Sequence, residues 1–137
     1  MKRAPNCEMF IDGASRGNPG PAGIGVVCME HTSPKWQLSE PIGITTNNVA
    51  EYTALIYALQ EASKRGYHDV LVKTDSELLT RQMSGQYRVK NAALKPLYAL
   101  ATHLRESFHS CAISHIPRAL NHLADRLAGQ AADRHVL

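Results

Sequence analysis

Cysteine is scarce and unpatterned in this chain. There are three in 137 residues, Cys7, Cys28 and Cys111, and no C-x-x-C pair. The odd count, with each cysteine inside an apolar run, fits buried free thiols rather than a disulfide framework, and gives a zinc site no support. The seven histidines are scattered, without metal-ligand spacing. No apolar run is long enough to span a bilayer. The segment from Met1 to Glu8 lacks the apolar core of a signal peptide. No membrane partner and a cytoplasmic location are therefore expected. There is no repeat and no low-complexity linker. Nor is there a P-loop or a G-x-G-x-x-G, so a nucleotide-binding reading is poor.

What is present suits a single domain, residues 1–137, with one core. The hydrophobic fraction is 44% and the formal net charge is +3. That balance permits a polyanionic partner without requiring one. Its distribution says more. No acid lies between Glu77 and Glu106, whereas Arg81, Arg88, Lys90, Lys95 and Arg105 do. Such a stretch is either a solvated surface or a footprint for phosphates.

Hydrophobic periodicity predicts strands over Cys7 to Asp12, Ala22 to Glu30 and Trp36 to Thr45, joined by a turn from Gly13 to Gly20 and another at Ser33-Pro34. The period then changes. Val49, Tyr52, Leu55, Ile56, Leu59 and Ala62 recur at helical spacing, with Asn48 as the expected N-cap and Gly66 as the stop. Asp69 to Thr74 reads as a strand covered on both faces, followed by a short helix from Ser76 to Met83. A longer helix is expected over Ala92 to Ser107, with Pro96 in its first turn, then a strand from Cys111 to Ile116 and a helix from Ala119 to Ala132. Three hairpin-linked strands and two strand–helix units make a mixed α/β sheet. Right-handed crossovers set the later strands parallel to the first.

Ligands in such sheets gather beyond the carboxyl ends of adjacent parallel strands, where Asp12 and Asp75 fall. Glu51 opens the helix that crosses between them, and Asp125 lies in the last helix. Each acid also has a structural reading. Asp12 can be a turn aspartate and Glu51 the glutamate of a capping box with Asn48. Asp75 can sit at a helix cap, and Asp125 on the solvated side of the stripe Leu120, Leu123, Ala124, Leu127 and Ala131. Together they say something else. Converging carboxylates repel, so they need a cation or shifted pKa values. Hard oxygen ligands select Mg²⁺ or Mn²⁺, and a pair of such ions is a known solution for phosphodiester cleavage.

Four segments carry a resemblance. They are Ile11-Asp12-Gly13-Ala14-Ser15-Arg16-Gly17-Asn18-Pro19-Gly20, Thr45-Thr46-Asn47-Asn48-Val49-Ala50-Glu51, Thr74-Asp75-Ser76, and Asn121-His122-Leu123-Ala124-Asp125-Arg126-Leu127-Ala128. In this order they resemble the type 1 ribonuclease H family, from about residue 8 to residue 132. The resemblance implies a five-stranded mixed sheet, order 3-2-1-4-5, with helices on both faces. It implies an endonuclease that cuts the RNA strand of RNA–DNA hybrids and leaves 5′-phosphate and 3′-hydroxyl ends. It implies two Mg²⁺ or Mn²⁺ ions on Asp12, Glu51, Asp75 and Asp125, in a monomer. It further implies that Gly13, Ser15, Asn18, Asn47 and Glu77 meet the minor groove of the hybrid, where 2′-hydroxyls mark the RNA strand. Thr46 and Asn48 resemble residues that hold a DNA-strand phosphate. Family members often have glutamine where Glu77 stands.

Two departures matter. The basic helical protrusion of many relatives is absent, since Ser84 to Lys90 is short; the basic stretch from Arg81 to Lys95 is the candidate replacement. Many relatives also carry a histidine on a flexible loop before the last helix. Here Ile116-Pro117-Arg118 leaves little slack, and the candidates are His115, Arg118 and His122. Arg118 is favoured, as a stabiliser of developing charge and a poor proton shuttle. Two other classes compete: a non-catalytic nucleic-acid-binding module, and another metal nuclease of the same fold. The intact acid set argues against the first, and the Thr46-Asn47-Asn48 segment against the second.

Overall fold

The computed structural model describes residues 7–134. The expectation about Met1 to Glu8 therefore lies mostly outside the described residues, as do both ends of the expected domain. Three antiparallel strands come first: β1 (Cys7–Ser15), β2 (Gly20–Glu30) and β3 (Ser33–Thr45). Then follow α1 (Asn47–Lys64), β4 (Asp69–Thr74), α2 (Glu77–Met83), α3 (Lys95–Glu106), β5 (Ser110–His115), a single 3₁₀ turn (Arg118–Leu120) and α4 (His122–Asp133). The five strands form one sheet in the order β3-β2-β1-β4-β5, with β4 parallel to both β1 and β5. This is the expected mixed sheet.

Side chains alternate across the pleat, and this divides the core in two. Met9, Ile11, Ile24 and Val26 face one side and pack with Leu55, Leu59 and Ala62 of α1. Gly23 and Gly25 of β2 face the other side, where α4 lies. A Cβ on Gly25 would stand 2.3 Å from the Ala124 carbonyl oxygen. The helix backbone thus rests directly on the strand. Gly13 plays the same part for α1: a Cβ there would meet the Ala50 carbonyl carbon at 2.3 Å and the Glu51 nitrogen at 2.5 Å. The two helices that carry Glu51 and Asp125 are drawn onto opposite faces of the sheet by glycine.

Several expected boundaries move, each for a visible reason. β1 continues past Asp12 to Ser15, because the glycine-rich stretch pairs with β2 before it turns. β3 begins at Ser33, which pairs with Glu30, so the tight turn is His31-Thr32, with His31 at φ 58°. α1 is capped by Thr46 rather than Asn48: its Oγ1 accepts from the Val49 N–H at 3.3 Å. α2 is capped by Ser76, whose Oγ accepts from the Leu79 N–H at 3.2 Å. α3 starts at Lys95, with its proline inside the first turn. The last helix is not continuous from Ala119, because Asn121 separates the 3₁₀ turn from α4. Cys7 and Cys28 are buried free thiols as expected, with sulfurs 3.4 Å apart, but Cys111 is only partly buried.

Candidate active site

The parallel pairing of β1 with β4 sets Ile11 opposite Thr74. Asp12 follows Ile11 within β1, and Asp75 follows Thr74 just past the end of β4, so the two acids stand side by side. Glu51 joins them from the first turns of α1. Ligand atoms of Asp12, Glu51 and Asp75 all lie within 4.8 Å of one another. Asp125, in the first turn of α4, lines the same cleft as these three acids. The four acids share a cleft of about 660 Å³ with Gly13, Ser15, Asn47 and Arg118.

These placements remove most of the structural readings. Asp12 is no turn residue, since it lies within β1 opposite Gly25 and is 5% exposed. With Thr46 as N-cap, Glu51 is too far along α1 to close a capping box. Its Oε2 instead accepts the backbone N–H of Gly13 at 3.2 Å. Asp75 caps nothing, because Ser76 does.

Burial sets the electrostatics. It is the main force that pushes the Asp12 carboxyl up from 3.8 to about 8, helped by the charge of Asp75 and by the bond and charge of Asp125. Burial likewise holds Glu51 well above the usual carboxylate range, followed by Asp12 and Asp75, while the Gly13 N–H opposes the rise. Such a cluster stays partly protonated near neutral pH or takes up positive charge. The donor set is all oxygen and fits a hard divalent cation.

The other predicted residues divide. Asn18 does not line the cleft; its Oδ1 accepts the Asn47 N–H at 3.0 Å and ties the β1–β2 loop to the start of α1. Ser15 Oγ donates to the Thr45 carbonyl at 2.9 Å, bracing the same corner. Thr46 is engaged as the cap, and Asn48 is exposed on the first turn. Glu77 points to solvent and pairs with Arg81 at 3.2 Å, outside the cleft. Arg118 stands at the cleft mouth, with Nη2 3.6 Å from Asp125 Oδ1. His115 and His122 do not line the cleft.

Sequence reasoning missed Arg16, Asn121, Gly129 and Asp133. Arg16 reaches from the β1–β2 loop to α4, where Nε bonds Asp133 Oδ1 at 2.8 Å and Nη2 bonds the Gly129 carbonyl at 3.1 Å. Asp125, Gly129 and Asp133 are spaced i, i+4, i+8, so Arg16 grasps the helix face that presents Asp125. That spacing was readable, but its partner 117 residues away was not.

The chain is similar to known proteins over nearly its whole length. A family model described as reverse transcriptase-like matches residues 10–131. A bifunctional protein of Mycobacterium tuberculosis is 45% identical over 124 residues, 89% of this chain and 34% of that protein. The chain thus spans about a third of its mycobacterial relatives. Ribonuclease HI of Halobacterium salinarum is 39% identical over 96% of this chain and 66% of its own length. The crystal structure of RNase H1 from that archaeon superposes with a TM-score of 0.90 at 38% identity, covering 94% of this chain and 98% of the other. LC11-RNase H1, isolated from compost and solved in complex with an RNA/DNA hybrid, gives 0.88 at 42% identity, with the same coverage. Strand order, acid placement and this likeness agree, and the chain belongs to the type 1 ribonuclease H family.

Proposed function

We propose that this chain is a metal-dependent endonuclease that hydrolyses the RNA strand of RNA–DNA hybrids. The observation that carries the reading is the cluster of Asp12, Glu51 and Asp75 within 4.8 Å, with Asp125 beside it, in a cleft open to solvent. Relatives named ribonuclease H, one of them solved with a hybrid, support the choice of substrate.

In this reading Asp12, Glu51, Asp75 and Asp125 hold two divalent ions, Mg²⁺ or Mn²⁺. When bound, such ions supply a more acidic attacking water and a counter-charge for the leaving 3′-oxygen, which accounts for 5′-phosphate and 3′-hydroxyl products. The protein's own contribution is placement. Gly13, Ser15 and Asn47 form a small-residue wall of the cleft, against which a sugar–phosphate backbone can lie closely. Thr46 and Asn48 shape the corner beside it and offer neutral donors to the DNA strand, positioning it without reading sequence, while Asn18, tied to the Asn47 backbone, faces the minor groove. Arg118 lends its fixed positive charge at the mouth, beside Asp125. Glu77 stands too far out for a central role and at most meets the rim of the groove.

Beyond the cleft, Tyr87, Arg88, Lys95 and Tyr98 line a second hollow of about 540 Å³. It falls in the acid-free stretch, and its cations with the exposed ring of Tyr87 suit the backbone of the continuing duplex. The enzyme works as a monomer in this reading.

One substrate panel tests the proposal: end-labelled RNA–DNA hybrid, duplex RNA, duplex DNA and a single-ribonucleotide duplex, each with Mg²⁺, Mn²⁺ or EDTA. Cleavage of the hybrid that stops in EDTA is expected. Cleavage of duplex DNA, or undiminished activity in EDTA, overturns it. Asp75→Asn should abolish cleavage and leave the chain folded; a fully active variant removes Asp75 from the site. A folded, hybrid-binding but uncleaving wild type would favour the non-catalytic module.

A further inference from the structure

We infer that Asn121 is a positioning residue of the metal centre: its side-chain amide fixes the carboxylate of Asp75 against the end of β1, while its backbone starts the helix that carries Asp125. The inference rests on the metal-binding reading above.

Asparagine just before a helix ordinarily caps it, with its side-chain oxygen accepting an N–H of the first turn. Asn121 occupies that place before α4, yet its side chain makes no capping bond. It turns away from its own helix. Nδ2 donates to the Ile11 carbonyl at 2.9 Å and lies 3.4 Å from Asp75 Oδ2. Both partners are pure acceptors, so the NH₂ group must face them; the flipped amide would set oxygen against two oxygens. Meanwhile the Asn121 backbone carbonyl accepts the Asp125 N–H at 3.0 Å. One residue is therefore bonded to the neighbour of Asp12, to Asp75 and to Asp125.

The residue is 1% exposed, and its Oδ1 is buried with no hydrogen-bond partner. Burying an amide oxygen unpaired is unfavourable, so the oxygen end of this amide contributes no bond and its role lies with Nδ2. An apolar hollow of about 320 Å³, lined by Phe10, Val27, Met29 and Leu123, borders Asn121. What the amide provides is orientation. A donor on one carboxylate oxygen restricts rotation of the group and leaves its remaining lone pairs aimed into the cleft, the usual work of partners just behind metal ligands.

The test uses the whole chain as wild type, Asn121→Ala and Asn121→Leu, the last filling the volume without an amide. Mn²⁺ and Mg²⁺ binding is measured by titration calorimetry, alongside the thermal midpoint without metal and kcat and KM on hybrid. Metal affinity is expected to fall about 10- to 100-fold in both variants. The kcat loss should shrink as Mn²⁺ is raised, and the KM for hybrid should stay near that of wild type. In wild type, the Asn121 side-chain amide resonance should shift when Mg²⁺ is added, a readout that needs no variant to fold. Unchanged metal affinity in a folded variant, or an unmoved amide resonance in a wild type that binds metal, overturns the inference alone. A wild type that binds neither ion overturns the functional reading as well.

Discussion

The backbone N–H of Gly13 donates to Glu51 Oε2 over 3.2 Å, joining the strand that bears Asp12 to the helix that bears Glu51. The bond exists because Gly13 lacks a side chain. Gly13→Ala would drive a Cβ into the backbone of Ala50 and Glu51, which has no flexible end to yield. We expect a loss of about 1–3 kcal/mol in denaturant unfolding, with cleavage lost more steeply than stability.

The raised acids make the stability of the metal-free protein depend on pH. Asp12 holds its proton up to about 8 in the folded chain, against 3.8 as the ordinary value. Between those values the folded state binds the proton and the unfolded state does not. Stability without metal should therefore fall as pH climbs from about 4 to about 8, and level off above. Divalent ions need the carboxylates ionised, so the rise in thermal midpoint on adding Mg²⁺ should grow over the same window. Thermal scans at several pH values, with and without EDTA, check both slopes.

Asp12→Asn removes one of several crowded buried acids. Metal-free stability at pH 8 should rise, on the order of 1 kcal/mol, while cleavage disappears. A destabilised variant would show that the acids do not oppose folding.

Much of this was legible in the sequence, and the failures share one cause. The strands and helices followed from periodicity, which is local, while the strand order and the set of four acids came from the family resemblance. The caps did not. Asn48 and Thr46 are both good cap residues two positions apart, and only docking of the helix selects Thr46. That choice decides whether Glu51 is a capping glutamate or a free ligand. Asn121 was hidden in the same way, because an unbroken apolar stripe ran the last helix back to Ala119. Its function lies in bonds to residues 110 and 46 positions away, which no local pattern records.

Gly129→Ala should separate stability from activity. Alanine favours the helix by up to about 1 kcal/mol, but its Cβ would stand 2.9 Å from Arg16 Nη2 and push that side chain off α4. The thermal midpoint should rise slightly while kcat falls by about tenfold. Arg16→Ala should reproduce the kcat loss without the gain in stability.

The second hollow predicts a salt effect. Replacing Arg88 or Lys95 with alanine should weaken hybrid binding and lower the slope of log K against log salt by about one per residue. The cleavage rate at saturating hybrid should hardly change.

Asp12 lies in the first strand and Asp125 in the last helix, with Glu51 and Asp75 on elements between them. No shorter stretch of the chain holds the set. During synthesis, a nascent polypeptide that has not yet released α4 lacks one of the four acids of the proposed metal site. The proposed metal site thus assembles only once α4 has docked on the sheet, and a lesion that loosens α4 should disturb that site first.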